Sequence, residues 1–353
     1  MIIRAFITHK RAENFADCQD RFGVNIDIKS IAVSDGMSQS WQQKIWAQLL
    51  VDTFVSSKDW QPTGESVKPL CGKWREEVEK YIQNLKETNA PEHLIYRNER
   101  NLVEGRSAGA TFVGIRFIGN DWSGSVLGDS CLIDWNGQQA TFHTSQHVES
   151  FDNCPDYFDS NVSREGKGTP KNIKGTMSED SVLLLVSDPF SDFLFEHNKQ
   201  GDVANYINQL LDISSHEKFE KIVEEWRDNG MHNDDTTLII VQNNASDSFS
   251  LEVRDDINSF IVEEARKSEN NKMSNEIKAQ EERKDPSISL ERKTRNDVEF
   301  VNTDGLINEF LEECQNALKC IVKALKNLKF NDTKKAVKNA LCEMFERYSG
   351  IKK

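Results

Sequence analysis

Four aspartates lie where an apolar, strand-like run ends or a turn begins. Asp20 stands in the segment Cys-Gln-Asp-Arg-Phe, and Asp35 comes just after an Ile-Ala-Val triplet and before Gly36. Asp188 follows a Leu-Leu-Leu-Val-Ser run, and Asp234 precedes a Leu-Ile-Ile-Val run. Carboxylate oxygens are the ligands that Mg²⁺ and Mn²⁺ prefer. One such aspartate is more often a turn or cap residue, so the hypothesis of a two-cation site depends on the ordered set.

Length and charge limit the classes of protein to consider. The chain has 353 residues, of which 37% are hydrophobic, and its formal net charge is -14. This length suits one large domain with an appendage. The negative charge disfavours binding to nucleic acid or to an anionic membrane surface. We expect neither partner.

The cysteines and the apolar runs predict the compartment. The seven cysteines are odd in number and form no C-x-x-C pair, which is typical of reduced thiols and disfavours a disulfide scaffold or a structural zinc site. His143 and His147 have no evident third ligand for zinc. The N-terminal apolar run is too short for a signal peptide, and no run approaches bilayer length. We expect a cytoplasmic protein.

Apolar runs of strand length alternate with helical patterns as far as about residue 243. The hairpin turn Gly119-Asn120-Asp121 separates two of these runs, and helical spacing recurs between the strands, which favours antiparallel sheets covered by helices over a βαβ repeat. The strands that the pattern predicts are Ser30–Val33, Ala110–Ile118, Gly124–Asp134, Gln139–His143, Ser181–Val186 and Thr236–Val241.

The composition changes after about residue 245. The segment 246–302 is rich in Lys, Glu, Asn and Ser, which predicts a charged linker or a solvated helix. In 303–353, apolar residues recur every three or four positions on both sides of Asn331-Asp332, which predicts a C-terminal helical hairpin. We expect this hairpin to mediate self-association or partner binding, or else to pack on the main domain, 1–245.

Six short motifs resemble the metal-dependent protein phosphatase family, protein phosphatase type 2C, and indicate a divergent bacterial branch. All six occur in the family's order between residues 1 and 243. They are Cys-Gln-Asp-Arg-Phe (18–22), Ala-Val-Ser-Asp-Gly-Met (32–37), Ala-Gly-Ala-Thr-Phe (108–112), Leu-Gly-Asp-Ser (127–130), Leu-Leu-Val-Ser-Asp (184–188) and Asn-Asp-Asp-Thr-Thr-Leu-Ile-Ile-Val (233–241).

The resemblance implies an α+β fold in which two packed antiparallel β-sheets are flanked by helices, an αββα sandwich, with the C-terminal helices as an appendage. It also implies two Mn²⁺ or Mg²⁺ ions, with a third possible. Asp35 would bridge both cations with the help of the Gly36 carbonyl, and Asp188 and Asp234 would complete the set. The bridged water would ionise near neutral pH and attack phosphorus in line.

Two further aspartates receive supporting roles from the resemblance. Asp20 would orient metal-bound waters, and Asp129 together with Asp188 would serve a third cation. The arginine that binds the substrate phosphate in relatives is replaced by Phe15. His9 or Arg11, or Lys10 between them, is the expected substitute.

Other departures from the family affect the loop after Asp35. Ser38, Gln39 and Ser40 replace the usual glycines, and Pro189 follows Asp188 where relatives carry glycine. Gln19 stands where a relative has glutamate. The resemblance therefore predicts a serine/threonine protein phosphatase that acts on a phosphoprotein and opposes a partner kinase. The alternatives are a catalytically weak pseudophosphatase that binds phosphoproteins or a regulator, and a hydrolase of small phosphoesters.

Overall fold

The computed structural model describes residues 1–145, 155–164, 166–244 and 248–268. They belong to a compact unit that runs from Met1 to Ser268. The predicted C-terminal helical hairpin, 303–353, and most of the predicted linker lie outside the described residues.

The strands, in chain order, are short and rich in β-branched and aromatic residues. They are β1 Ile2–Thr8, β2 Arg21–Asn25, β3 Ser30–Ser34, β4 Gly109–Ala110, β5 Phe112–Ile118, β6 Asp121–Leu127, β7 Cys131–Trp135, β8 Ala140–His143, β9 Phe158–Asp159, β10 Lys171–Thr176, β11 Val182–Val186, β12 Thr236–Gln242 and β13 Ser250–Arg254.

The helices carry the 3.6-residue apolar spacing of surface helices that pack on a sheet. They are α1 Gln43–Ser56, α2 Lys68–Glu87, α3 Glu92–Val103, α4 Asp188–Gln200, α5 Val203–Leu211 and α6 His216–Asp228, and residues 257–268 are also helical. The helical spacing that recurs between the predicted strands corresponds to α1, α2 and α6. No helix in the described part of the chain combines the length and the apolar composition needed to cross a bilayer.

Two larger sheets form the centre of the fold. One has six strands in the order β13-β1-β12-β11-β7-β8, and the other has five in the order β10-β6-β5-β3-β2. Every neighbouring pair is antiparallel except β1 with β13. A short third sheet pairs β4 with β9.

Alternation along the strands shows how the layers pack. In β11, Leu183 and Leu185 belong to a core that also contains Ile31 and Val33 of β3, whereas Leu184 belongs to a second core formed with α4, α5 and α6. Successive side chains of a strand point to opposite faces, so the first core lies between the two sheets. A third core joins the five-stranded sheet to α1 and α2. The predicted αββα sandwich is confirmed.

The predicted strand Gly124–Asp134 is wrong as a single element. It is two strands, β6 and β7, which belong to different sheets. The chain turns at Gly128, whose φ of +96° suits glycine, and a Cβ there would lie 2.6 Å from the carbonyl oxygen of Asp156. A continuous apolar run conceals a crossover of this kind. Asp129 follows this turn, at the point where the chain passes from one sheet to the other.

The six-stranded sheet extends past the expected domain boundary at residue 245. Strand β13 pairs in parallel with β1, and residues 257–268 follow as a helix within the same compact unit. The sequence patterns did not predict β13, since only Leu251 and Val253 give it an apolar face within a charged segment. They did not predict β1 either, although β1 lies between β13 and β12 in the sheet and pairs with both.

Candidate metal centre

Strand pairing brings the predicted aspartates to shared sheet ends. Arg21 of β2 pairs with Ser34 of β3, so Asp20 and Asp35, which flank this pair, stand at the same end of the five-stranded sheet. In an antiparallel pair, the start of one strand lies beside the end of its neighbour. The residues that flank such a pair are therefore neighbours in space.

The six-stranded sheet supplies the other three aspartates by the same rule. Val186, the last residue of β11, pairs with Cys131 at the start of β7 and with Leu238 near the start of β12. Asp188 follows this point, Asp129 precedes β7, and Asp234 precedes β12. The same end of the sheet therefore carries three carboxylates.

The aspartates of the two sheets influence one another electrostatically. Loss of hydration, and then the negative charges of Asp20, Asp188, Asp129 and Asp234, raise the pKa of Asp35 well above its usual range. The pKa of Asp188 is likewise raised by loss of hydration and then by the charges of Asp129, Asp234 and Asp20. The structure therefore brings the five predicted aspartates into one cluster, which we call the aspartate cluster.

Asp20 lies at the base of the aspartate cluster and is 0% exposed. Its Oδ2 accepts a hydrogen bond of 2.7 Å from the hydroxyl of Thr237, whereas its Oδ1 is buried without a hydrogen-bond partner. Burial, and then the charge of Asp235, raise the pKa of Asp20 to about 7. A buried carboxylate oxygen with no partner is costly, and a cation or an ordered water would satisfy it.

The segment after Asp35 is held against β4. The amide of Thr111 donates to the carbonyl of Asp35 at 2.9 Å, and the amide of Met37 donates to the carbonyl of Gly109 at 3.0 Å. A Cβ on Gly36 would lie 2.9 Å from Cγ of Gln43, so no larger residue fits there without a shift. This packing sets the position of the Gly36 backbone beside Asp35.

Hydroxyl groups connect the loops of the aspartate cluster. The Ser191 hydroxyl on α4 lies 2.7 Å from the carbonyl of Asp129 and 3.1 Å from that of Asp188, so it links the β6–β7 crossing to the start of α4. The Thr111 hydroxyl lies 2.6 Å from that of Ser130. These contacts restrict the loops that carry the carboxylates.

Asp235 is a site residue that the sequence patterns did not single out. It is 2% exposed, and its carboxylate accepts the amide of Lys10 at 3.0 Å and the amide of Gln19 at 2.7 Å. It therefore fixes the segment between β1 and Asp20 to the start of β12. The sequence indicates Asp235 only through its position next to Asp234. It does not show which of the two aspartates would belong to the metal centre.

Of the three candidate phosphate-binding residues, Lys10 contacts the aspartate cluster. Its Nζ lies 3.1 Å from Oδ1 of Asp234. The guanidinium of Arg11 contacts the carboxylates of Glu224 and Asp228 instead, both at 2.6 Å.

His9, the remaining candidate, packs edge-to-face on Phe15. Its Nε2 lies 3.5 Å from a carboxylate oxygen of Glu264. The structure thus places the three neighbouring basic residues, 9–11, in three different environments.

The donor set can be compared with what a hard cation requires. Within residues 1–268, as far as they are described, no three Asp, Glu, His or Cys side chains meet closely enough to hold one ion by themselves. Mg²⁺ and Mn²⁺ commonly keep several waters and use one or two carboxylates each. The five carboxylates of the aspartate cluster, together with the Oδ1 of Asp20 that has no hydrogen-bond partner, fit such a water-rich site.

Comparisons with known proteins were made at the level of sequence and of structure. No family model and no curated protein matches the sequence. Among solved structures, the phosphatase Stp1 of Staphylococcus aureus is 15% identical with a TM-score of 0.46, over 69% of this chain and 95% of Stp1. A serine/threonine phosphatase of S. agalactiae is 14% identical with a TM-score of 0.42, over 68% of this chain and 99% of its own.

A third structure is the catalytic domain of the serine/threonine protein phosphatase PstP in complex with two manganese ions. It is 16% identical with a TM-score of 0.37, over 67% of this chain and 96% of its own. These three solved structures, to which the chain is similar, are serine/threonine phosphatases.

Proposed function

We propose that this chain is a divergent metal-dependent protein phosphatase that hydrolyses phosphoserine and phosphothreonine. The observation that carries the proposal is the aspartate cluster, in which loops from both sheets bring five carboxylates together. Burial, and then repulsion between the carboxylates, raise the pKa of Asp35 and of Asp188, so a bound cation would stabilise their charged forms.

In this proposal, Asp35 would bind both cations, the carbonyl of Gly36 would help to hold one of them, and Asp188 and Asp234 would hold the other. Mn²⁺ and Mg²⁺ are both suited to this oxygen donor set. When bound, the cations would lower the pKa of water and offset charge on the phosphoryl oxygens. Asp20, anchored by Thr237, would orient water by accepting its hydrogen bonds.

Asp129 completes the proposed donor set. Ser191 holds the backbone of Asp129 and that of Asp188 together, so the two carboxylates can serve a third cation. The third ion is expected from the family resemblance, and this arrangement supports that expectation.

Lys10 takes the phosphate-binding role in this proposal. Among the three candidates, its ammonium group contacts a carboxylate of the aspartate cluster, whereas Arg11 contacts Glu224 and Asp228. The amide of Lys10 is also fixed by Asp235. A lysine binds phosphate as a point charge, without the two-point geometry of arginine, so phosphate binding would be weaker than with an arginine.

One observation favours the alternative of a phosphoprotein-binding module with little turnover. The Lys10 ammonium already lies against Asp234, so it competes with a cation for that carboxylate. The same groups would then recognise a phosphorylated residue without hydrolysing it. Measurement of turnover separates the two functions.

The test is release of phosphate from a phosphothreonine peptide with Mn²⁺, with Mg²⁺ and with a chelator. We expect release with either metal and none with the chelator. Asp35→Asn should abolish release, whereas Asp27→Asn, in the exposed β2–β3 turn, should not alter it. Release that persists in the chelator or in Asp35→Asn would contradict the two-cation assignment. Peptide binding without release would establish the binding module.

A further inference from the structure

A groove of about 470 Å³ lies beside the loop that follows Gly36. The loop 37–42 and Gly109 form part of its lining, and α3 contributes Arg97 and Asn98. Its volume is in the range of sites that bind small molecules or a few residues of peptide. Because Met37 and Gly109 are joined by a backbone hydrogen bond that adjoins the Asp35 segment, the groove begins next to the aspartate cluster.

The groove is lined by three arginines, in a protein whose net charge is -14. Arg97, Arg106 and Arg164 are all exposed, and the one acidic side chain among the described lining residues is Asp159, which is 9% exposed. The lining therefore carries an excess of positive charge that the rest of the sequence does not predict.

The three guanidinium groups are only partly compensated within the protein. Arg106 is 3.8 Å from Glu104, a carboxylate that Arg100 already contacts at 2.7 Å. Arg164 donates to the neutral hydroxyl of Ser107 at 3.2 Å and interacts electrostatically with Asp159. No ion pair to Arg97 occurs in the described part of the chain. Exposed arginines without tight carboxylate partners are available to an anionic ligand.

The shape of the groove is maintained by buried hydrogen bonds. Asn98 is 4% exposed, and its side-chain oxygen accepts from Nε1 of Trp41 at 3.0 Å and from Nε2 of Gln42 at 3.1 Å. Gln42 has a positive φ of 56°, which costs energy for a residue with a side chain. The carbonyl of Gln42 accepts from Nε1 of Trp74 at 3.2 Å, so α2 and α3 together stabilise the loop.

From these observations we infer that the arginine groove binds acidic residues that flank the phosphorylated residue of a protein substrate. This inference rests on the proposed phosphatase function and names its preferred substrate class. The segment that follows the phosphorylated residue, or precedes it, would extend from the aspartate cluster into the groove. Each carboxylate would meet a guanidinium group, at which two parallel hydrogen bonds can form.

The inference is tested with one phosphothreonine peptide in three versions, whose flanks are acidic, neutral or basic. We expect kcat/KM to be about tenfold higher for the acidic than for the basic version at low salt, and the ratio to fall as salt rises. The triple variant Arg97→Glu, Arg106→Glu and Arg164→Glu should lose or reverse this order. Its activity on p-nitrophenyl phosphate should not change, because that substrate has no flanking residues.

A matched control carries the same change of charge elsewhere. Lys73→Glu, Arg75→Glu and Lys174→Glu alter three exposed residues of α2 and β10 that do not line the groove. This variant should keep the wild-type order of peptides. If both variants lose the preference for the acidic peptide equally, the preference comes from the overall charge of the protein, and the groove assignment is overturned.

Binding is measured separately from hydrolysis, by fluorescence anisotropy of the acidic peptide without its phosphate. The acidic peptide should bind more tightly than the basic peptide, and the Arg97/Arg106/Arg164 variant should lose this difference. That result supports the groove even if no peptide is hydrolysed. In that case only the proposed phosphatase function fails. Hydrolysis of all three peptides at equal rates overturns the groove and leaves the phosphatase function intact. Equal binding of an RNA oligonucleotide of the same charge would overturn the assignment to an acidic peptide.

Discussion

Nδ1 of His216 lies 2.8 Å from Oδ2 of Asp255, and this pair joins the start of α6 to the loop after β13. The same carboxylate oxygen accepts the amide of Ile7 in β1 at 2.9 Å. Asp255 is 6% exposed. Its charge is therefore held inside the protein by an imidazole and a backbone amide, and it connects three elements that are distant in sequence.

This pair predicts a pH dependence of stability. Burial by itself would lower the pKa of His216, but hydrogen bonds to Asp255 and Glu220 and their charges raise it to about 9, from an ordinary value of 6.5. A histidine whose pKa is raised by folding stabilises the native state below its unfolded pKa, and this contribution is lost as the pH rises from 6.5 to about 9.

We expect His216→Asn to lower the free energy of unfolding by about 2 kcal/mol at pH 6 and by much less at pH 10. Thermal or urea melts of both proteins across this range provide the measurement. A difference that does not change with pH would show that the imidazole contributes through packing rather than through its charge.

Removal of β13 should destabilise the main domain. A chain that ends at residue 244 loses the pairing of β13 with β1 and leaves His216 without Asp255, which we expect to cost about 3 kcal/mol or more. A chain that ends at residue 268 keeps both features and should melt cooperatively, close to the full-length protein. Equal melting temperatures for the two truncations would contradict this assignment of the boundary.

Because the carboxylates of the aspartate cluster repel one another, we expect Asp35→Asn to stabilise the protein when a chelator keeps it free of metal. Burial, and then the charges of the other four aspartates, raise the pKa of Asp35, and the substitution replaces this carboxyl by a neutral amide. We expect a gain of about 1 kcal/mol, or roughly 3 °C in melting temperature at pH 7.5. With Mn²⁺ present, wild type should gain stability and the variant should gain much less. A variant that melts lower than wild type in the chelator would contradict the repulsion argument.

The role of Asp235 can be tested by removing one acceptor. Its two oxygens accept the amides of Lys10 and Gln19, and an asparagine offers only one oxygen. We expect Asp235→Asn to lower the free energy of unfolding by about 2 kcal/mol. Asp27→Asn, which changes the same charge in an exposed turn, should leave the urea melt unchanged.

Close approach of two strands makes Gly124 sensitive to any side chain. A Cβ there would lie 1.9 Å from the carbonyl oxygen of Gly114 on β5. Because the obstacle is backbone, Gly124→Ala should cost about 3 kcal/mol. Gly72→Ala in α2 is the matched control, since open space surrounds that position and a helix favours alanine. It should be neutral or stabilising in the same thermal melt.

The fold was predictable from local patterns where those patterns are strong. Apolar runs predicted β11 and β12, and the Gly119-Asn120 turn predicted the β5–β6 hairpin, which the structure confirms. The crossing at Gly128 was not predictable, because the run continues through it and only tertiary packing separates β6 from β7. β13 was missed because pairing with β1 supports a strand that its own sequence does not favour.

The sequence indicates where the carboxylates of the candidate site lie, but it does not distinguish among the neighbouring basic residues. The positions of Asp35 and Asp188 follow from strand ends, which a sequence displays. The choice among residues 9–11 depends on which side chain finds a partner across the fold. Arg11 is drawn to α6 by Glu224 and Asp228, and neither contact is visible in the local sequence.

The crossing at Gly128 has a consequence for folding. Because the aspartate cluster takes its carboxylates from both sheets, it exists only after the sheets have packed together. An intermediate with one sheet formed would carry at most part of the donor set, so the proposed cations, which use carboxylates of both sheets, would stabilise the finished sandwich and not such an intermediate. Cation affinity would then report on the completion of folding, and cation release would loosen the joint between the sheets first.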